Sequence, residues 1–314
     1  MKKAIVTGAT GFIGSYLVKE LINNGYRVLA IIRPNSNNRY RLENLSDVKI
    51  LECDLSDLKN AGKNINENYD YFFHLGWEGV YGENQSNYIV QIRNIEYALD
   101  AMELANKTNC TRFIGAGSIQ EKECLVEMQK SQEVTNQGNA YKTAKLASHF
   151  YCKLKANKAK IDFFWPLLTN TYGVGETSTR LINSAIQKLI NGEEPTLTKG
   201  EHLYNFIYIT DAVRAYRIIA ERGISYNDYI IGSERVIPLK EYLEELKDVV
   251  NPNLTLGFGK HIYNGVYMTK KDLYNKNLYT DTGYKTNVPF KVGVKMTADW
   301  QRRELTGSKL INKE

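Results

Sequence analysis

The sequence predicts an α/β fold, a doubly wound parallel sheet followed by a smaller C-terminal α/β domain. Three observations carry this. Short β-branched runs alternate with longer amphipathic stretches through the first half, three glycines punctuate the start of the chain, and the alternation fades after Trp165. The strand-like runs lie at residues 4–7, 27–32, 48–52, 69–75, 112–115 and 160–165. Between them, helical spacing appears at residues 12–24, 85–107 and 141–155, the last with Leu146, Phe150 and Leu154 along one side. Strands that alternate with helices in this way pair in parallel, because each helix carries the chain back to the same end of the sheet. Beyond Trp165, helical patterns recur near residues 180–191, 211–222 and 239–250 among Asn- and Gly-rich loops, and a Tyr-rich tail follows.

Composition narrows the classes. The chain has 314 residues, 43% of them apolar, and a formal net charge of +6. That length supports one large or two packed domains with full cores. The cysteines, Cys53, Cys110, Cys124 and Cys152, form no C-x-x-C pair, and His74, His149, His202 and His261 lie far apart. Neither a disulfide framework nor a metal site is expected. Lys and Arg are scattered rather than clustered, which argues against a nucleic-acid partner, while a mild positive field suits a small anion. No apolar run approaches the ~18 residues of a membrane span. Strand-like sequence begins at Lys3 and leaves no room for a signal peptide, so the expected location is the cytoplasm, without a membrane partner.

Residues 3–17 read KAIVTGATGFIGSYL and place Gly8, Gly11 and Gly14 in a strand–turn–helix. A tight turn needs a residue without Cβ, and the backbone must come close to a pyrophosphate. The helix starting near Phe12 aims its free N–H groups and positive dipole end at that anion. Such a turn binds dinucleotides. An acid about 20 residues further on would accept hydrogen bonds from the adenosine ribose 2′-OH, whereas a cation suits a 2′-phosphate. Here the second strand ends at Arg33, with Ser36, Arg39 and Arg41 close behind and no acid before Glu43. NADP(H) is therefore the expected cofactor and NAD(H) the second choice, unless Arg33 is a solvated strand-end residue.

The spacing T-G-x-x-G-x-x-G, from Thr7 to Gly14, resembles the extended short-chain dehydrogenase/reductase family, the nucleotide-sugar-modifying branch of NAD-dependent epimerases and dehydratases. The resemblance implies a Rossmann-like first domain over residues 1–166 and a substrate-binding domain over 167–314, with residues 206–235 packing back onto the first. It implies cofactor contacts from Thr7, Gly8, Gly11, Phe12, Ile13 and Gly14, from Asp54 and Leu55 after the third strand, and from Leu75 and Gly76 after the fourth. Asp54 equally reads as the cap of a following helix.

The family's chemistry rests on a Ser or Thr after the fifth strand and on Tyr-x-x-x-Lys in the next helix; here these are Ser118, Tyr141 and Lys145. A ketone accepting hydride needs a proton, and a nearby ammonium lowers the high pKa of the tyrosine that gives it. Lys145 lies one helical turn from Tyr141 and, by resemblance, also bonds the nicotinamide ribose. Spacing alone proves little, because Tyr151/Lys155 and Tyr267/Lys271 share it. Position separates them. Only Tyr141 stands near the start of the helix after the fifth strand, and Gly8, Arg33, Asp54, Gly76, Ser118 and Asn170 all follow expected strands, at the edge where such sheets bind ligands.

Family dehydratases place Asp and Glu directly after the catalytic Ser or Thr, whereas this chain has Ile119 and Gln120, with Glu121 one position later. Dehydration is disfavoured. Residues 165–173 keep the family's Asn170, Tyr172 and Gly173 but carry Leu167 in place of Arg, and Tyr204 stands where a phosphate-binding Arg is frequent. Residues 229–242 match the strand and Gly-Ser turn that follow. Gln91 takes the place of an Asn that organises a water-linked proton route, and Trp77 that of a small residue. By resemblance the substrate side comprises Trp77, Ser118, Gln120, Asn170, Arg180 and Tyr204; Lys199 and Lys260 are further cations there. Trp77, Tyr172 and Tyr204 read either as an aromatic wall or as core. The expected activity is NADP(H)-dependent reduction of a keto group, at C4, on a nucleotide-diphosphate deoxysugar. The alternatives are a 4-epimerase with tightly held NAD and a non-catalytic dinucleotide-binding sensor or scaffold. The helices at 85–107 and 141–155 are expected to pair across a homodimer, as in relatives.

Overall fold

The structure, a computed structural model, describes residues 1–130 and 139–311. It divides into two compact units. The first comprises Met1–Leu168, Val213–Ile231 and Asn275–Tyr284; the second comprises Thr169–Ala212, Gly232–Tyr274 and the chain from Lys285 on.

The first unit is built on a parallel sheet. Its strands are β1 (Lys2–Thr7), β2 (Tyr26–Ile32), β3 (Val48–Glu52), β4 (Tyr71–His74) and β5 (Arg112–Gly115). Two-residue β6 (Gly117–Ser118) lies outside the main sheet, β7 (Asp162–Phe164) completes it, and β8 (Leu167–Leu168) lies outside again. The main order is β3-β2-β1-β4-β5-β7, all parallel. Ala4–Thr7 of β1 is wholly buried, as expected of a central strand covered on both faces, and so reads as a continuous apolar run rather than an alternating one. The winding reverses between β1 and β4, where Thr7 registers with both Ile31 and His74. A crevice opens at such a reversal, beyond the carboxyl ends of the strands. A small parallel sheet of Ile230–Ile231, β8 and β6 extends the first unit.

Helices α1 (Phe12–Asn23), α2 (Tyr88–Lys107), α3 (Gln120–Lys130) and α4 (Asn139–Ala159) flank the sheet. Asn87 caps α2 by accepting the N–H groups of Ile89 and Val90, which satisfies two donors otherwise left open at a helix start. Sequence periodicity does not mark α3, whose charged run QEKECLVEMQK offers too few apolar positions. Nor does it mark the helix Phe290–Ile311, where the sequence reads as a tail. On α4 the stripe Leu146/Phe150/Leu154 lies away from the core, with Phe150 56% and Leu154 68% exposed. The buried face is instead Tyr141, Ala144, Lys145, Ser148, Cys152 and Ala156.

The second unit pairs Asn170–Tyr172 with Phe206–Tyr208 in parallel and Leu203–Tyr204 with Ile237–Pro238 antiparallel. Helices Leu181–Ile190, Leu239–Val250 and Phe290–Ile311 supply its remaining core. Asn205, fully buried, donates to the carbonyls of Ser233 and Leu273 and accepts the Ser233 N–H, so one amide ties three segments together. Among the described residues no helix is long and apolar enough to cross a membrane, and no cluster of His, Cys, Asp and Glu is placed to hold a metal ion.

Aromatic stacking fixes the strands that carry the site. Phe72 stacks on Phe113 at 5.5 Å, Phe113 on Phe163 at 6.3 Å, and Phe163 on Trp165 at 6.1 Å. Gly115 leaves the space that Trp165 fills: a Cβ there would lie 2.0 Å from the indole Cε3. Gly115→Ala is therefore expected to destabilise the protein by about 1–3 kcal/mol through overpacking, read as a lowered midpoint of thermal unfolding.

Candidate active site

The carboxyl ends of β1 to β4 are followed by Gly8, Arg33, Asp54 and Gly76 in turn, and Ser118 closes β6, just after β5. Gly8 sits at φ 66° and its missing Cβ would lie 2.8 Å from the Gly76 N, so the first and fourth strand ends approach there as only glycine allows. A Cβ on Gly14 would lie 2.1 Å from the Gly8 carbonyl oxygen. Thr7 Oγ1 accepts the Gly76 N–H at 3.2 Å, a cross-strand bond that holds the two turns together. Gly11 begins α1 without a side-chain cap and without an acid in the first turn. The positive helix end therefore faces outward with its donors uncapped, and the residues present fit a dinucleotide pyrophosphate.

Arg33 is exposed at the end of β2. The Ser36 and Thr10 hydroxyls hydrogen-bond at 3.0 Å and link the 33–41 segment to the glycine turn, which Arg41 also reaches at the Thr10 carbonyl, 3.5 Å away. Arg39 is ion-paired with Glu52. Asp54 Oδ1 accepts from both the Ser56 N–H and the Ser56 hydroxyl, capping the turn Leu55–Asp57. Leu55 packs towards Gly76: a Cβ there would lie 2.7 Å from Leu55 Cδ2.

On α4, Tyr141 and Lys145 lie on the buried face. Lys145 Nζ donates to the Ala116 carbonyl at 2.8 Å and stands 5.8 Å from the centre of the Tyr141 ring. It also stands 3.6 Å from the centre of the Trp77 ring, a cation–π contact that in a desolvated setting is worth about 2 kcal/mol. Burial pulls the Lys145 pKa down to about 7, against the opposing pull of the Glu121 charge. Ser118 donates its backbone N–H to Glu121 at 2.9 Å, and its hydroxyl oxygen accepts the Gln120 N–H at 3.3 Å.

Glu121 is a hub that sequence reasoning did not identify. It is buried; Oε1 accepts from the Ser118 N–H and, at 3.0 Å, from Trp165 Nε1, while Oε2 pairs with His149 Nδ1 at 3.0 Å. Three partners thus hold this carboxylate in place. Ile119 is buried and Gln120 half-buried. His74 was also missed: burial holds its pKa down at about 3, Nδ1 bonds Thr7 Oγ1 at 2.9 Å, and Nε2 is buried without a partner among the described residues.

Gln91 is committed to the loop that carries Trp77. Its Oε1 accepts the Trp77 indole N–H at 3.0 Å, and its Nε2 donates to the carbonyls of Gly79 and Asn84, both at 2.9 Å. Asn94 holds Glu78 from both sides, accepting its N–H and donating to its carbonyl at 2.8 Å. Buried amides on a helix face give no periodic signal, which is why only Gln91, through resemblance, drew notice.

Asn170, Arg180 and Tyr204 belong to the second unit. Asn170 opens a strand and donates to the Asn205 carbonyl at 3.2 Å; Arg180 is exposed just before the helix Leu181–Ile190. Half-buried Tyr204 lies 4.9 Å from Phe206 and 5.7 Å from His202, ring to ring. Tyr172 is core: its hydroxyl donates to the Phe290 carbonyl and its ring packs on Tyr208. Lys199 is exposed, and Lys260 is paired with Glu194 at 2.9 Å.

Comparison with known proteins follows the same lines. The model of the NAD dependent epimerase/dehydratase family matches residues 4–232. The chain is 27% identical to the CDP-abequose synthase of Salmonella typhimurium over 298 residues, 92% of this chain and 95% of that protein. It is 26% identical to the dTDP-4-dehydro-6-deoxy-D-allose reductase of Streptomyces bikiniensis over 260 residues, 75% of this chain and 77% of that one. Among solved structures, the UDP-glucose 4-epimerase of Thermotoga maritima with UDP-glucose shares the fold, with a TM-score of 0.77, 20% identity and coverage of 96% of this chain and 99% of its own. The glycine turn, the parallel sheet and the match across most of the chain lead to one assignment: the chain belongs to the NAD dependent epimerase/dehydratase family and is an NAD(P)-dependent enzyme of the extended short-chain dehydrogenase/reductase type.

Proposed function

We propose that the enzyme reduces a keto group, at C4, on a nucleotide-diphosphate deoxysugar, with NADP(H) as its cofactor. The observation that carries the proposal is the buried Lys145 one helical turn from Tyr141, beside the strand end that bears Ser118. When bound, the nicotinamide supplies a hydride to the carbonyl carbon. Tyr141 gives its hydroxyl proton to the carbonyl oxygen, and the Lys145 ammonium stabilises the phenolate that remains. Ser118 donates a hydrogen bond to the same oxygen and orients it. With Glu121 engaged by Ser118, Trp165 and His149, and with Ile119 and Gln120 before it, the site lacks a free acid–base pair for dehydration. Two of the relatives, a CDP-abequose synthase and a dTDP-4-dehydro-6-deoxy-D-allose reductase, support the substrate class by name.

The glycine turn, closed by the Gly11 N–H on the Gly8 carbonyl at 3.0 Å, and the uncapped start of α1 support binding of the pyrophosphate by the backbone N–H groups of Phe12, Ile13 and Gly14. Exposed Arg33, with Ser36 and Arg41 beside the turn, favours a 2′-phosphate over a free ribose hydroxyl. On the second unit, Asn170, Arg180 and Tyr204 are the groups proposed to meet the nucleotide sugar. The exposed apolar stripes of α2 (Ile89, Ile92) and α4 (Phe150, Leu154) support pairing with a second copy of the chain.

Side-by-side titrations of the purified protein should show exchangeable NADPH bound at least about tenfold more tightly than NADH, with Arg33→Ala removing most of the difference. NAD retained through purification, or a preference for NADH, would move the 4-epimerase to first place. Against a panel of nucleotide 4-keto-deoxysugars, Tyr141→Phe should lower kcat by roughly 10²- to 10⁴-fold while leaving NADPH affinity near its original value. Light scattering should report a dimer that Ile92→Glu combined with Leu154→Glu converts to monomer; a monomeric native protein defeats the pairing.

A further inference from the structure

Trp77 departs from the small residue expected after Gly76, and the structure gives its ring a definite task. The indole lies with its face 3.6 Å from the Lys145 ammonium and edge-on to Tyr141, at 5.9 Å and 75°. Gln91 fixes the ring by accepting its N–H at 3.0 Å, and the same side chain anchors the 77–84 loop through the carbonyls of Gly79 and Asn84. Gly79 makes the turn at φ 67° that brings the loop back to α2. A buried ammonium loses its water, and the π-face together with the Ala116 carbonyl replaces part of that hydration.

We propose that Trp77 is a positioning residue for the Tyr141–Lys145 pair: its indole face holds the Lys145 side chain beside Tyr141 in the charged state, and Gln91 holds the indole. The proposal rests on the reading of Lys145 as the group that tunes Tyr141. It reassigns Trp77 from the substrate side to the proton-donating machinery, where it acts through Lys145.

The groups that face Lys145 come from three elements. From β4 comes His74, whose pKa is held down at about 3, and from α3 comes the carboxylate of Glu121. On α4 itself lie Tyr141 and Cys152, the latter pushed up by burial to about 12. Tyr216, coupled to Tyr141 and Glu121, is raised by burial beyond the working range. Lys145, at about 7, changes charge beside the indole near neutral pH, and His149, which pairs with Glu121 at 3.0 Å, stands one side chain further off.

The test is a fluorine NMR titration of the full chain labelled with 5-fluorotryptophan, from about pH 6 to about pH 9. The chain has three tryptophans, and Trp77→Phe assigns the resonance of Trp77. Trp165 stacks on His149 at 5.5 Å, so its signal is kept apart. The expected result is a step in the Trp77 resonance that persists in Tyr141→Phe and vanishes in Lys145→Met. A Trp77 signal that Lys145→Met leaves unchanged at every pH, or a step that survives Lys145→Met, overturns the proposal. The titration uses neither cofactor nor substrate, so it is decided apart from the reductase reading. In turnover of the keto sugar that the panel identifies, Trp77→Leu should move the alkaline limb of the kcat profile down by about one pH unit, and Trp77→Phe, which keeps a ring face, should restore most of it. An unmoved limb in Trp77→Leu also overturns the proposal. A lysine-dependent step together with full turnover by Tyr141→Phe would instead sink the reductase reading and leave the pairing standing.

Discussion

A lysine ammonium taken out of water is the constraint around which the first unit is arranged. An isolated buried charge is too costly to keep, so Lys145 must find partners on every side. The Ala116 carbonyl comes from the end of β5, the Trp77 face from the loop after β4, and a compensating negative charge from Glu121 on α3. Each partner then needs support of its own. Glu121 is held by Trp165 and His149, Trp77 by Gln91, and Trp165 by the gap that Gly115 leaves. Residues from α2, α3, α4 and three strand ends are thereby committed to one ammonium, which explains why so many polar side chains lie inside a unit whose sheet is otherwise apolar.

Much of this arrangement is legible in the sequence, and the division follows physical lines. The glycine turn reads clearly because Gly8 and Gly14 stand where any side chain would strike backbone. Ser118, Tyr141 and Lys145 could be singled out because each occupies a set place after a strand, and strand ends are what a parallel sheet gathers together. The outward direction of the α4 stripe could not be read. Four-residue spacing shows that Leu146, Phe150 and Leu154 share a side but not which side meets the sheet, and the real core face is built of Ala, Ser and Cys with one Tyr and one Lys. Glu121 and Asn94 were unreadable for a related reason: a buried polar residue is identified by its partners, and those lie far off in the chain.

A site built from backbone and a site built from side chains leave different traces in a sequence. The first relies largely on backbone, whose N–H groups are presented wherever the turn can form, so its signature is written in glycines. The second leaves a weaker signature, because a side chain can be exchanged without disturbing the chain that bears it. Substrate preference can therefore drift while the dinucleotide site stays recognisable, and the low identity to relatives of the same family fits this division.

The ion-pair knot at Glu221 bears on how the chain acquires this structure. Its carboxylate takes Lys2 at 2.8 Å, the Tyr26 hydroxyl at 2.8 Å and Arg217 at 2.7 Å, so the first two strands are tied to a helix 219 residues downstream of Lys2. The first unit also takes in Asn275–Tyr284, where Asp281 accepts hydrogen bonds from Asn227 and Tyr229. A ribosome that has delivered only the first 168 residues has therefore not delivered a finished unit. Loops this long make its last contacts non-local and slow to form, and the second unit must be threaded out before the first can close. Assembly of the first unit is in this way postponed until the chain has been made as far as Tyr284.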